Sequence, residues 1–261
     1  MLARCARAFV LCLTLVGGPV VAADVHVMIS AGFFGAYAEL APAFERATGH
    51  HLVTTRGPSV GDSPESIPTR LARGDTADVV ILDDTSAVEL GRRGLVRPDT
   101  KVEFARSQIG MVVREGTPTP DISSVNGFRD VLLAATSVAV SDSTSGAYLT
   151  QTLFSRLGIA EQMASKSRKV RGPPSGEPVA ALVARGEAQI GFQQVSELLH
   201  VPGVTLVGLI PTELQPRVGY SGVVAVTAKE MDAALALIRF IASPAAAATI
   251  ANAGLAPVVA P

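Results

Sequence analysis

The chain has 261 residues, 48% of them apolar and 17% charged, with a formal net charge of -1. That is enough apolar material for the core of one or two domains and too little charge for a disordered chain. The near-neutral balance gives no basic field for nucleic acid, so no nucleic-acid partner is expected and any charge recognition must be local.

The first residues have the order of an export signal. Arg4 and Arg7 precede an apolar run over residues 8–16, which Gly17, Gly18 and Pro19 break. Val21, Ala22 and Ala23 then supply small residues for cleavage, so the mature chain is expected to begin at Asp24 and to reach the periplasm. The run is shorter than the roughly 20 residues that span a membrane. Cys5 and Cys12 both lie in this segment. The mature form is therefore expected to have no disulfide and no cysteine-bound metal.

Beyond Asp24, short β-branched runs alternate with amphipathic stretches, the pattern of α/β units on mainly parallel strands. Residues 25–29 are predicted as a strand and 30–35 as a turn. A helix follows, with Tyr37, Leu40, Ala41 and Phe44 on one face, ending at Gly49. Strands are predicted over 51–55 and 77–82, with a loop over 57–66 and helices over 67–73 and 86–93. Further strands are predicted over 109–114, 137–140, 188–192, 204–207 and 218–226. The helices between and after them cover 125–134, 147–157, 179–185, 231–241 and 244–253, with a basic, Pro- and Gly-rich loop over 166–178.

Three polar turns each follow a strand and lead into a helix. The first is Ser30-Ala31-Gly32, continuing into Phe33; the second is Gly57-Pro58-Ser59-Val60-Gly61. The third, Ser141-Asp142-Ser143-Thr144-Ser145-Gly146, is the most polar. A helix start leaves backbone N–H groups without partners and carries partial positive charge. Glycine lets an anion approach the backbone, and serine adds a hydroxyl donor. Taken singly, each turn reads as an ordinary helix cap. Three in corresponding positions point to one shared anion site at the carboxyl ends of the strands.

Arg70, one turn into its helix, is a candidate for a bidentate carboxylate contact, against a solvated role beside Arg73. Gln193 and Gln194 follow a strand and either line the site or cap a turn. Tyr148 and Tyr220 each offer a phenol to a ligand or to the core. The histidines (His26, His50, His51 and His200) lack metal spacing, and Asp83-Asp84 reads as a cap. No metal and no cofactor is expected. No nucleophile triad, phosphate loop or dinucleotide fingerprint is legible.

The stretches "VHVMISAGFFGAYAELAPAFERATGH", "GPSVG", "RLARGDTADVVILDD" and "VAVSDSTSGAYLTQTLFSRLGI" resemble the type II periplasmic solute-binding proteins, above all their molybdate-binding branch. "ALVARGEAQIGFQQVSELLHVPGV" and "LALIRFIASPAAAATIANAGLAPV" extend that resemblance over nearly the whole mature chain. It implies two α/β lobes joined by two crossing strands, a small anion in the cleft, and a permease of an ABC-type transporter as partner. One lobe is expected over 24–106 with 218–261, the other over 107–217, in a monomer. The hinge is expected near 106–110 and 219–222. Ser59 matches a serine that holds molybdate in that branch, whereas Gly32 stands where a serine, and Gln194 where a tyrosine, would be. The patterns "GPS-G", "SDS-SG-Y" and "IGFQQ-SELL-VPGV" are closer to a subgroup that includes aconitate isomerase. That resemblance implies a tricarboxylate ligand and a cofactor-free proton shift, with Asp142, Tyr148 and the serines as visible candidates for moving the proton. Two readings follow: a receptor for an oxyanion or polycarboxylate, or an isomerase. A cleft of N–H and hydroxyl donors alone would favour the receptor; an added base would favour the enzyme.

Overall fold

The computed structural model describes residues 22–199 and 201–258. The export-signal reading, with Cys5 and Cys12, falls on residues 1–21 and lies outside them, as does His200.

The chain begins with β1 (Asp24–Ile29), α1 (Ala31–Thr48), β2 (His51–Arg56), α2 (Ile67–Ala72), β3 (Val79–Asp83) and α3 (Asp84–Arg92). Strands β2, β1 and β3 lie side by side and parallel. β4 (Val96–Ser107) then leads out of this region. The second region holds β5 (Ile109–Arg114), α4 (Val125–Ala134), β6 (Val138–Ser141) and α5 (Thr144–Tyr148). A π-helical stretch, Leu149–Leu153, continues α5 into α6 (Phe154–Arg156). α7 (Ala160–Ala164), β7 (Ser167–Val170), α8 (Val179–Ala184), β8 (Ile190–Gln194), α9 (Val195–Leu198) and β9 (Val204–Leu209) complete it. The chain returns along β10 (Val218–Ala225) and ends with α10 (Met231–Ile241), α11 (Ala247–Asn252) and β11 (Ala256–Pro257).

Two sheets result, a six-stranded one in the order β11-β4-β10-β3-β1-β2 and a five-stranded one in the order β7-β6-β8-β5-β9. Each is mixed. The expected parallel strands are the trios β2-β1-β3 and β7-β6-β8. The strands that carry the chain between the sheets run antiparallel to their neighbours, because the chain leaves one sheet and later returns to it.

Helices cover both faces, so the central strands are apolar throughout. Val25, Val27 and Ile29 pack with Phe33, Phe44, Leu237 and Ile241 on one face, while Met28, Val80 and Leu82 pack with Ile67, Leu71 and Leu90 on the other. In the second sheet, Met111, Val138 and Val140 face Phe128, Leu132 and Leu153, and Val112 and Ala139 face Val179 and Val183.

The chain crosses between the sheets at Gln108 and again between Leu209 and Val218. Gln215 ties the crossings together. Its Nε2 donates to the carbonyls of Ile109 (2.9 Å) and Ile210 (3.1 Å), and its Oε1 accepts from the N–H of Ile109 (2.9 Å).

Besides α7, α9 and β11, which fall where no element is predicted, three elements differ from the sequence reading. The turn expected over 30–35 is helix from Ala31 onward, since Gly32, Phe33 and Ala36 bury the start of α1 and outweigh the weak helix propensity of two glycines. β4 falls where no strand is predicted; Pro98 and a run of charges mask it, and pairing with β10 on one side and β11 on the other makes it a strand. β7 lies inside the stretch read as a loop, because a polar edge strand shows no apolar alternation.

Candidate functional site

The carboxyl ends of β1, β2, β6 and β8 meet between the two sheets. The cavity there is lined from one side by Ser30, Ala31, Gly32, Gly57, Pro58, Ser59 and Tyr220. From the other side come Ser141, Asp142, Ser143, Thr144, Gly172, Pro173, Gln193, Gln194 and Glu197. Its volume is about 30 Å³. A water needs roughly 10–15 Å³ on that measure, so the space as it stands holds one or two waters.

Two helix starts open onto this cavity. Ser30 is the N-cap of α1, yet its hydroxyl caps nothing and Oγ is buried without a partner. Ser143 is the N-cap of α5, and its hydroxyl also accepts no backbone N–H. Ser141 is the hub behind it. Its Oγ lies 3.0 Å from both Ser143 Oγ and Ser145 Oγ and accepts the N–H of Gly146 at 3.2 Å. Gly146 is required for this turn, because a Cβ there would lie 1.8 Å from the Ser141 carbonyl oxygen.

The end of β8 fixes two amides. Gln194 Oε1 accepts from Ser107 Oγ at 2.7 Å, which turns its Nε2 away, buried and unpartnered. Gln193 Oε1 accepts the N–H of Val179 at 3.2 Å, and its Nε2 donates to Glu197 Oε1 at 2.7 Å. Glu197 stands on α9, four residues after Gln193. Burial pushes its carboxyl up to about 7; nearby Asp142 adds to the rise, while the Gln193 hydrogen bond and the Arg56 charge oppose it. The side chain keeps some solvent exposure at its margin, but the carboxyl sits deep in the cleft. Across from it, burial and then the charges of Glu197 and Asp83 hold the Tyr220 phenol well above its ordinary range, so it stays neutral. Arg56 ends β2 with its guanidinium 4.0 Å over the Phe34 ring. Burial lowers its pKa, opposed by Glu197.

Contacts bridge the cleft. Thr144 Oγ1 donates to Asp83 Oδ2 at 3.2 Å, and Ser196 Oγ donates to the Gly32 carbonyl at 2.7 Å. At the mouth, Glu65 accepts from Ser175 and lies 3.7 Å from Arg171.

Of the residues picked from sequence, Ser30, Gly32, Ser59, Ser141, Ser143, Gln193, Gln194 and Tyr220 line the cavity, and Ser145 and Gly146 form the turn behind it. Phe33 points into the core, 5.5 Å from the Phe104 ring and 6.2 Å from that of Tyr220. Val60 and Gly61 line a neighbouring groove with Pro68, Glu89 and Arg93. Arg70 is held outside by Asp75 (3.3 Å) and the Glu65 carbonyl (3.1 Å). Tyr148 donates to the Leu214 carbonyl at 2.7 Å and also lies outside. Glu197, Gly172 and Pro173 line the cavity and were not picked. No helical spacing marks the first, because Gln193 ends β8 and Glu197 stands on α9.

Two α/β lobes, two crossings and a polar cleft between opposed strand ends define a solute-binding protein of the periplasmic type. The family model described as bacterial extracellular solute-binding protein matches residues 25–256, and the chain belongs to that family. It is 44% identical over 250 residues to an aconitate isomerase from Pseudomonas sp, covering 94% of each chain. It is 26% identical over 236 residues to the molybdate-binding protein ModA of Azotobacter vinelandii, covering 88% of each. The solved structure of the Azotobacter vinelandii periplasmic molybdate-binding protein superposes with a TM-score of 0.70 at 22% identity, covering 91% of this chain and 99% of the other.

Proposed function

We propose that the protein is an isomerase of an unsaturated tricarboxylic acid, interconverting trans- and cis-aconitate in the cleft. The observation that carries this reading is Glu197. A carboxyl poised at about 7, facing a wall of hydroxyl and N–H donors, is a general base rather than a simple anion ligand. The likeness to the Pseudomonas aconitate isomerase supports it.

The substrate carboxylates seat against the starts of α1 and α5, with Ser30, Ser59 and Ser143 donating. Glu197 takes a proton from the substrate methylene. The C–H electron pair moves through the adjacent double bond onto a carboxylate, and Glu197 returns the same proton to the far vinylic carbon. The double bond shifts by one carbon, and its new geometry sets the isomer. No atom or electron is gained or lost, so no cofactor is needed. Closure of lobe 24–106 with 218–261 onto lobe 107–217 keeps water from the carbanionic state.

A second reading is a periplasmic receptor that hands a molybdate-like oxyanion to an ABC permease. The set of serine hydroxyls and the molybdate-binding relative favour it. Incubation with trans-aconitate in heavy water, followed by proton NMR, separates the two. The isomerase yields the cis isomer, and solvent deuterium enters it only where the proton on Glu197 exchanges before its return. Neither exchange nor product, together with a raised melting temperature in molybdate, would establish the receptor instead.

A further inference from the structure

We infer that Tyr220 is the donor that stabilises the negative charge formed when Glu197 removes the proton, and that Gly32 is the gap that lets it reach the substrate. The inference deepens the isomerase reading and rests on it.

Tyr220 stands on β10, in the lobe opposite Glu197, and its phenol reaches the same cavity. The ring is buried against Phe33. No hydrogen bond within the described residues occupies its hydroxyl. The hydroxyl faces the cavity, so an acceptor oxygen arriving in the cleft can take its hydrogen bond. Burial, and then the charges of Glu197 and Asp83, keep the group protonated, so it donates at neutral pH.

Gly32 explains how the phenol gets there. A Cβ at that position would lie 1.7 Å from the Tyr220 oxygen and 2.4 Å from Cζ. Any side chain at position 32 therefore excludes the phenol from its present place. Gly32 also accepts from Ser196, the residue before Glu197, at 2.7 Å. One contact thus sets the approach of α9, which carries the base, to the helix start beside the donor. A hydroxyl aimed at developing charge acts more strongly in the transition state than on bound substrate.

The test uses the full mature chain with trans-aconitate as substrate. Tyr220→Phe keeps the ring and removes the donor. It is expected to lower kcat on the order of 10²-fold, leave KM within about threefold, and leave the acid limb of the pH profile where Glu197 sets it. Gly32→Ala displaces the phenol and is expected to lower kcat by a similar factor. The double variant is expected to match either single variant, because both remove one interaction. Melting curves show that each variant folds. A Tyr220→Phe variant with unchanged kcat, or kcat losses that multiply in the double variant, would overturn the inference alone. A wild-type chain without turnover would overturn the isomerase reading and this inference with it.

Discussion

The α-helix starts led by serine fall into two groups among the described residues. Ser66 and Ser124 each accept an N–H from their own helix, from Thr69 at 3.3 Å and Gly127 at 3.1 Å. Ser30 and Ser143 occupy the same N-cap position, with the same extended backbone, and cap nothing. An N-cap serine is worth about 1 kcal/mol where it caps. The two starts that open onto the cavity forgo that stabilisation: Ser30 Oγ has no partner, and Ser143 Oγ pairs only with Ser141 Oγ at 3.0 Å. What distinguishes a binding helix from a structural one here is thus the direction of one hydroxyl.

The largest way to sharpen this contrast is to remove a cleft group that neither caps nor donates, the Glu197 carboxyl. Glu197→Gln keeps the shape and the neighbouring Gln193 but cannot take a proton. It is expected to cut turnover of aconitate by about 10²–10⁴-fold while aconitate still raises the melting temperature. Full activity in this variant would return Glu197 to the role of a buried spectator.

The serines test the contrast directly. Ser124→Ala, outside the cavity, is expected to lower stability by about 1 kcal/mol and leave aconitate affinity unchanged. Ser30→Ala and Ser143→Ala are expected to do the reverse. Each should weaken affinity by about tenfold, a hydrogen bond to a charged group, with little change in stability. Chemical denaturation and calorimetric titration of all three read both quantities. Equal stability losses in all three would erase the distinction between the groups.

Much of this was legible in the sequence, for a physical reason. Strands buried on both faces are written as apolar runs, and the polar turns at their ends are short and local. The serines of the cleft were therefore readable from position alone. Glu197 was not, since "SELL" reads as an amphipathic turn with a surface acid, and only the docking of α9 against α1 encloses the carboxyl. Arg70 failed in the opposite way. It lies at the right distance from the Gly57 loop in sequence, but Asp75, five residues on, claims its guanidinium. Tyr220 was readable as a candidate, though not its dependence on Gly32, which lies in a strand–helix junction nearly 190 positions away and touches it only after folding.

The smallest expected effect concerns how the cleft sets the working pH. Glu197 titrates near 7 in the folded chain against an ordinary value of 4.5. The folded protein thus holds this proton more tightly than the unfolded one. Its contribution to stability is complete below about 4.5 and is lost as pH rises through about 7. Glu197→Gln should flatten that slope, so the variant gains on the wild type between these values and not below them. Arg56 faces Glu197 and favours its ionised form, whereas Asp142 opposes it. Arg56→Gln should therefore move the acid limb of turnover to higher pH, and Asp142→Asn should move it lower. The two shifts must have opposite signs. If both variants moved the limb the same way, the base would not be Glu197, and the uncapped serines would then face a ligand that is held and not changed.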